Sequence, residues 1–207
     1  MRRLLHVRRL CRSKPLRDLS LQKAGTLSES TYDPGVVSVK SRQFIVLSGC
    51  SGGGKSSVLA ELGRRGYATY EEPGRQVVKE QLLIGGDALP WSNLDLFLEL
   101  TISRSIHHLV EAARSDAIAF FDRGIVDQIN GWPARGLEIP KHLLSAADFF
   151  RYRKTVFLVP PWKEIFANDA ERRHSFDDSV AMYDALAATY ERFGYKPIVI
   201  PKTDVAA

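Results

Sequence analysis

Short apolar runs alternate with longer amphipathic stretches along most of the chain. The first run, Phe44–Leu47, is continuous, as expected of a parallel strand buried on both faces. Four more strands are predicted at Tyr67–Tyr70, Ala117–Phe121, Thr155–Val159 and Pro197–Ile200. Helices are predicted between them near Ser56–Arg65, Arg75–Leu83, Asn93–Arg114 and Phe176–Phe193. This alternation predicts an α/β fold in which helices sandwich a five-stranded parallel sheet.

The last predicted helix has clear signals at both ends. Ser175 and Asp178 have the spacing of a capping box, with Asp in place of the usual Glu or Gln, and Gly194 marks the end. An apolar stripe runs along this helix and indicates core packing rather than a cofactor site. Its members are Phe176, Val180, Tyr183, Leu186, Tyr190 and Phe193.

The first strand runs directly into a glycine-rich segment that matches the pattern G-x-x-x-x-G-K-S/T. The segment consists of Gly49, Cys50, Ser51, Gly52, Gly53, Gly54, Lys55 and Ser56, and Ser57 follows it. Glycines let backbone N–H groups turn toward phosphate oxygens, and a helix beginning at Lys55 adds its positive dipole end. We therefore predict a phosphate-binding loop for ATP or GTP. Lys55 is expected to reach the β- and γ-phosphates and the Ser56 hydroxyl to ligate Mg²⁺. The alternative is an ordinary glycine-rich turn.

A carboxylate follows the third predicted strand. Asp122 comes directly after Phe121, and Arg123 and Gly124 come next. Because ligands bind at the carboxyl ends of parallel strands, Asp122 is predicted to hold Mg²⁺, directly or through water. Arg123 is predicted to bind a substrate phosphate or the phosphoryl group in transfer. A helix-capping role is the alternative for Asp122.

Three further side chains are candidates for the same edge of the sheet. Glu72 follows the second strand, where a carboxylate can accept a proton from an attacking hydroxyl. The alternative for the Glu71-Glu72 pair is a solvated turn. Arg172 and Arg173 lie in a polar segment before the last helix, which can bring arginines to the γ-phosphate. A solvated helix end is the alternative for these two arginines.

These segments together resemble the NadR-type branch of P-loop kinases, a family also described as predicted AAA-type ATPases. The resemblance extends from about Arg42 to Pro201. It rests on the phosphate-binding loop and on several shorter segments: Glu72–Arg75, Phe121–Gly124, Val159–Trp162, Asn168–Arg173, and Tyr190 with Gly194 and Tyr195. Deoxynucleoside kinases are similar in general plan, but they have a carboxylate-Arg-Ser where this chain has Asp-Arg-Gly.

The resemblance implies a nucleoside-kinase-like fold that uses ATP and Mg²⁺ and phosphorylates a hydroxyl of a small-molecule acceptor. Members of the family include ribosylnicotinamide kinases, so the expected acceptor is nucleoside-like. The Asp-Arg-Gly difference leaves the acceptor unassigned. One alternative is an ATPase or GTPase switch without a small-molecule acceptor. A kinase of nucleic-acid ends is a second alternative.

Charge argues against the nucleic-acid alternative. Residues 1–30 contain eight Lys or Arg and two acidic residues, a net charge of +6. The whole chain has a net charge of +5, which leaves −1 for residues 31–207. A nucleic-acid partner requires a basic track, and the nearly neutral body does not provide one.

The basic residues define an N-terminal extension of residues 1–40, and residues 41–207 form the predicted nucleotide-binding domain. The extension is interpreted as a disordered arm, a start-site artefact or an organellar import signal. No apolar run approaches the roughly 18 residues that span a bilayer, and the chain contains two cysteines. We therefore expect a cytoplasmic protein without membrane insertion. The sequence does not indicate an oligomeric state.

Overall fold

Five strands form the centre of the fold, and they confirm the predicted parallel sheet. The computed structural model describes Val37 and residues 40–50, 52–165 and 175–202. The strands are β1 Phe44–Gly49, β2 Ala68–Tyr70, β3 Ala119–Asp122, β4 Thr155–Val159 and β5 Lys196–Val199. They lie in the order β2-β3-β1-β4-β5, and all neighbours are parallel. Nearly all of the predicted extension, residues 1–40, lies outside the described residues.

The strand register places three chain segments at one edge of the sheet. Leu47 of β1 pairs with Asp122, the last residue of β3. Gly49 of β1 pairs with Val159, the last residue of β4. Tyr70, the last residue of β2, pairs with Phe121. Because parallel strands end at the same edge, the segments that follow β1, β2 and β3 meet there.

Helices flank this sheet. Six α-helices lie within residues 52–165 and 175–202: α1 Lys55–Arg64, α2 Pro73–Ile84, α3 Leu94–Ala112, α4 Ile125–Ile129, α5 Lys141–Phe149 and α6 Phe176–Arg192. Helix α1 packs against β2 and β3, and α6 packs against β1 and β5. Short 3₁₀ helices cover Ser41–Gln43, Pro133–Arg135 and Lys163–Ile165. No helix of the described residues is long and apolar enough to cross a membrane.

The two helices that sequence analysis did not predict, α4 and α5, are the shortest. Helical periodicity is recognisable over windows of about 11 residues or more, and α4 has five residues and α5 has nine. Helix α2 begins two residues before its predicted start, because Pro73 occupies its first turn and provides a favourable backbone angle there.

The predicted ends of the last helix are confirmed, and so is the core packing of part of its apolar stripe. The Ser175 hydroxyl accepts a hydrogen bond from the Asp178 backbone N–H, and the Asp178 carboxylate accepts one from the Ser175 N–H. Gly194, just beyond the helix, has a φ of +78°. Leu186 and Tyr190 of the stripe are buried in the core. This packing holds α6 against the sheet.

Gly49, at the end of β1, lies directly against Val159, at the end of β4. Its φ is +109°, and a Cβ at this position would lie 2.3 Å from the carbonyl oxygen of Val159. The Cys50 N–H donates a hydrogen bond of 2.9 Å to the same oxygen. Glycine is therefore required here for both its backbone angle and its lack of a side chain.

We expect Gly49→Ala to lower the free energy of unfolding by about 2–5 kcal/mol, because backbone strain and a steric clash add together. Gly66→Ala is the matched control. Gly66 also has a positive φ, +88°, but no atom lies within 4 Å of a Cβ built there. The control should lose only the backbone contribution, about 1–2 kcal/mol. Urea denaturation of both variants measures the difference, and equal losses would show that the approach to Val159 is not restrictive.

Candidate active site

The loop between β1 and α1 has the backbone shape of an anion-binding loop. Gly52 and Gly54 have φ values of +77° and +93°, and Gly54 directly precedes α1. Helix α1 begins at Lys55, as predicted, so its free N–H groups point into the loop. Ser51 lies outside the described residues. The described part of the loop fits phosphate oxygens, because turned backbone and a helix N-terminus both present N–H donors.

Lys55 is buried inside this loop, with 5% of its surface exposed. Its Nζ donates hydrogen bonds to the carbonyl oxygens of Cys50, at 2.8 Å, and Gly49, at 3.5 Å. Burial lowers the pKa of Lys55, and Arg123 lowers it further, whereas Asp122 and Glu72 act in the opposite direction. The carbonyl partners carry no net charge, so a phosphate fits this position as an anionic partner for the ammonium group.

Asp122 is a buried carboxylate with an unsatisfied oxygen. It is 3% exposed, and no described residue donates a hydrogen bond to its buried Oδ1. Burial raises its pKa to about 6, and the nearby Lys55 ammonium limits the rise. The alternative capping role is wrong, because the following helix begins at Ile125 with Gly124 as its cap. A hard cation such as Mg²⁺ fits this carboxylate and the neighbouring Ser56 hydroxyl, which line the same cleft.

Arg123 lies between two carboxylates from different elements. Its Nε is 2.9 Å from Oε1 of Glu72, and its Nη1 is 3.3 Å from Oδ1 of Asp127. Burial disfavours the charge of Arg123, but Glu72, Asp127 and Asp122 outweigh burial and raise the pKa of the guanidinium. Burial likewise disfavours the charge of Glu72, but Arg123, Lys55 and Arg75 outweigh it and lower the pKa of this carboxyl. Glu72 and Arg123 therefore form an ionised pair at neutral pH.

The backbone of Arg123 is also unusual. Its φ is +68°, and no other non-glycine residue in the described part of the chain has a positive φ. A bulky residue in this conformation costs about 1–3 kcal/mol and persists only where its surroundings hold it. The Arg123 N–H donates to the carbonyl oxygen of Leu47 on β1, at 2.9 Å. The strained backbone lies directly after the end of β3, and the guanidinium of the same residue contacts Glu72 and Asp127.

Asp127 is a site residue that sequence analysis missed. Its carboxylate accepts hydrogen bonds from the Ser48 hydroxyl at 2.5 Å, the Gly124 N–H at 2.7 Å, and the Tyr190 hydroxyl. The available signal was the acidic residue three positions after Gly124, where an Asp can cap a helix. The contacts with Ser48 and Tyr190 join residues 79 and 63 positions apart in sequence, which no local pattern predicts.

A cleft of about 370 Å³ opens between α1 and α2. Ser56, Asp122 and Glu72 line it, as do Glu71 and Arg75. Glu71 and Glu72 both follow the end of β2 and both border the cleft. They differ in environment, because Glu71 is exposed and Glu72 is paired with Arg123.

The structure thus brings together Lys55, Ser56, Glu72, Asp122 and Arg123 at one edge of the sheet. The other two candidates, Arg172 and Arg173, lie in residues 166–174, outside the described residues. Their role at the γ-phosphate stays a prediction.

Comparison with protein families identifies the domain. A family model described as an AAA domain matches residues 44–207, which is most of the chain. The chain belongs to the AAA domain family. The match includes every candidate site residue of this AAA domain. No curated protein matches the sequence.

The five-stranded parallel sheet with its flanking helices is a nucleoside-kinase-like P-loop fold, and one solved structure with a TM-score above 0.5 shares it. The NadR protein, solved in complex with NR, matches with a TM-score of 0.57 at 15% identity, over 78% of this chain and 46% of that one. This chain therefore spans less than half the length of that NadR chain. Thymidylate kinase from Ehrlichia chaffeensis matches with a TM-score of 0.49 at 18% identity, over 79% and 91% of the two chains. Deoxyadenosine kinase from M. mycoides, with bound dATP, matches with a TM-score of 0.46 at 14% identity, over 79% and 93%.

The raised pKa of Asp122 predicts a pH-dependent stability difference between the protein and its Asp122→Asn variant in metal-free buffer. From the ordinary value of 3.8 to about 6, the folded carboxyl keeps a proton that the unfolded chain releases. Wild-type stability should therefore fall as pH rises through this range, and the variant lacks this contribution.

Between about pH 4 and pH 8, the unfolding free energy of the wild-type protein should fall relative to that of the variant by an amount on the order of 2 kcal/mol. Urea denaturation in EDTA at several pH values measures it. A difference that does not change with pH would contradict the buried, unpaired state of Asp122.

Proposed function

We propose that this protein is a small-molecule kinase, which transfers the γ-phosphoryl group of ATP to a hydroxyl of a nucleoside-like acceptor. The observation that carries the proposal is the ionised Glu72–Arg123 pair, in which Glu72 lines the same cleft as Ser56 and Asp122. A phosphate loop alone suffices for nucleotide binding. A carboxylate and an arginine beside it provide the groups that phosphoryl transfer to a hydroxyl requires.

Each candidate site residue has a role in this proposal. The loop from Gly49 to Ser57 binds the phosphates through backbone N–H groups and Lys55. Ser56 and Asp122 would hold Mg²⁺, which when bound neutralises phosphate charge. Their oxygen donors and the unsatisfied Oδ1 of Asp122 support this assignment.

Glu72 and Arg123 act on the acceptor side. With a lowered pKa, the Glu72 carboxylate is ionised at neutral pH and can accept the hydroxyl proton as the oxygen attacks phosphorus. Arg123 would stabilise the charge that develops on the transferred group. Arg172 and Arg173 are proposed to add to that charge stabilisation.

The acceptor is proposed to be nucleoside-like because the fold is similar to that of NadR, which was solved with NR. The rival function is an ATPase or GTPase switch that lacks a small-molecule acceptor. ADP release in the presence of a panel of nucleosides and nucleotides separates the two. A kinase accelerates with its acceptor, whereas a switch shows only slow basal turnover.

Lys55→Ala should leave the fold intact, weaken nucleotide binding and lower turnover by about 10²–10³-fold, because one charged contact to the phosphates is removed. Calorimetry with Mg·ATP and a coupled ADP assay measure the two effects. Circular dichroism checks the fold. Near-normal turnover by the folded variant would contradict the assignment of the phosphate-binding loop.

Glu72→Gln should lower kcat for transfer by about 10²–10⁴-fold and leave Mg·ATP affinity almost unchanged. Gln keeps the side-chain size and an oxygen that can accept from Arg123, so loss of packing does not explain a large effect. The measurement compares calorimetric ATP affinity with transfer to the best acceptor in the panel.

Glu71→Gln is the matched control, because Glu71 borders the same cleft but is exposed. It should change kcat only slightly. Unchanged transfer by Glu72→Gln would mean that Glu72 does not take the acceptor's proton and only pairs with Arg123. Lost ATP binding would make it a metal or ribose contact instead.

A further inference from the structure

The carboxylate of Asp127 connects more elements than any helix cap requires. Its side chain is 1% exposed. Oδ1 accepts from Ser48 on β1 and from Nη1 of Arg123 after β3. Oδ2 accepts from the N–H of Gly124, before α4, and from the hydroxyl of Tyr190 on α6. Four donors meet the hydrogen-bonding capacity of a carboxylate, so Asp127 has little freedom to move.

Arg123 depends on that immobility. Its guanidinium is restrained at Nε by Glu72 and at Nη1 by Asp127. Glu72 lines the open cleft, and its side chain is 21% exposed, so it is the more accessible of the two restraints. Asp127 is the buried one. A guanidinium with one accessible and one buried partner keeps its orientation only if the buried partner is fixed.

We propose that Asp127 is a positioning residue that holds the Arg123 guanidinium in place beside Asp122 and Glu72. This inference rests on the proposed function, because it assigns Arg123 a part in phosphoryl transfer. It goes beyond that function in naming the group that preorganises the arginine. Asp127 acts through Arg123, whose other partner, Glu72, lines the cleft.

Nitrogen-15 NMR tests this without any substrate. The Nη–H groups of a guanidinium held at both ends give separate signals, whereas those of a freely rotating one average. Arg123 signals are identified by their absence in Arg123→Lys. We expect separate Arg123 signals in the wild-type protein and averaged ones in Asp127→Asn, which keeps the side-chain size.

Tyr190→Phe is the matched control. It removes one hydrogen bond to the same carboxylate, on Oδ2, and it keeps the aromatic ring packed against Tyr195. A purely structural role for Asp127 predicts that both variants affect Arg123 alike. The positioning role predicts separate Arg123 signals in Tyr190→Phe and averaged Arg123 signals in Asp127→Asn. This difference should appear even though the two variants lose a similar amount of thermal stability.

Kinetics provide the second measurement. Asp127→Asn should lower kcat by about 10–100-fold with little change in KM for Mg·ATP, because a displaced catalytic group slows transfer without weakening nucleotide binding. In an Arg123→Gln background, Asp127→Asn should have no further effect on kcat.

Unchanged Arg123 signals in Asp127→Asn, or additive effects on kcat, would overturn the proposal. If Asp127→Asn does not fold, the wild-type spectrum decides. Averaged Arg123 signals in the wild-type protein, like those of the exposed Arg114, would overturn the proposal, and separate Arg123 signals would support it. Failure of the proposed function would appear as an absence of phosphoryl transfer by the wild-type protein. Failure of the positioning proposal would appear in the Arg123 signals, which are measured without substrate.

Discussion

The arrangement of this site depends on balancing buried charge where three parallel strands end. Two cations, Lys55 and Arg123, share this region with three carboxyl groups, Glu72, Asp122 and Asp127. Arg123 pairs with two of the carboxyl groups, which leaves Asp122 without a direct ion-pair partner among the described residues. Burial therefore raises its pKa to about 6. The group that is least satisfied in the protein alone is the one best suited to hold a cation.

That balance is linked to backbone geometry. Gly49 allows β1 to pass close to the end of β4, and the strained backbone of Arg123 turns the chain directly after β3. Removing one partner of a buried ion pair typically costs about 3–5 kcal/mol. Arg123 therefore combines a strained backbone with ion pairs whose partners are costly to remove one at a time.

Local pattern was sufficient for the sheet, the phosphate loop and the capped last helix. Each depends on residues adjacent in sequence, such as the run Phe44–Leu47, the loop Gly49–Ser56 or the pair Ser175 and Asp178. Local pattern was insufficient for the short helices α4 and α5.

The sequence by itself determined that a glycine-rich loop with the phosphate-binding pattern lies between a buried strand and a helix, and that a carboxylate stands at the end of the neighbouring strand. Strong local signals encode these features, because each depends on residues adjacent in sequence. Only the tertiary structure decided that Glu72 pairs with Arg123 and that Asp127 joins Ser48, Arg123 and Tyr190. These contacts span between 4 and 79 positions in sequence. They exist because parallel pairing and the packing of α6 bring distant segments to one edge of the sheet.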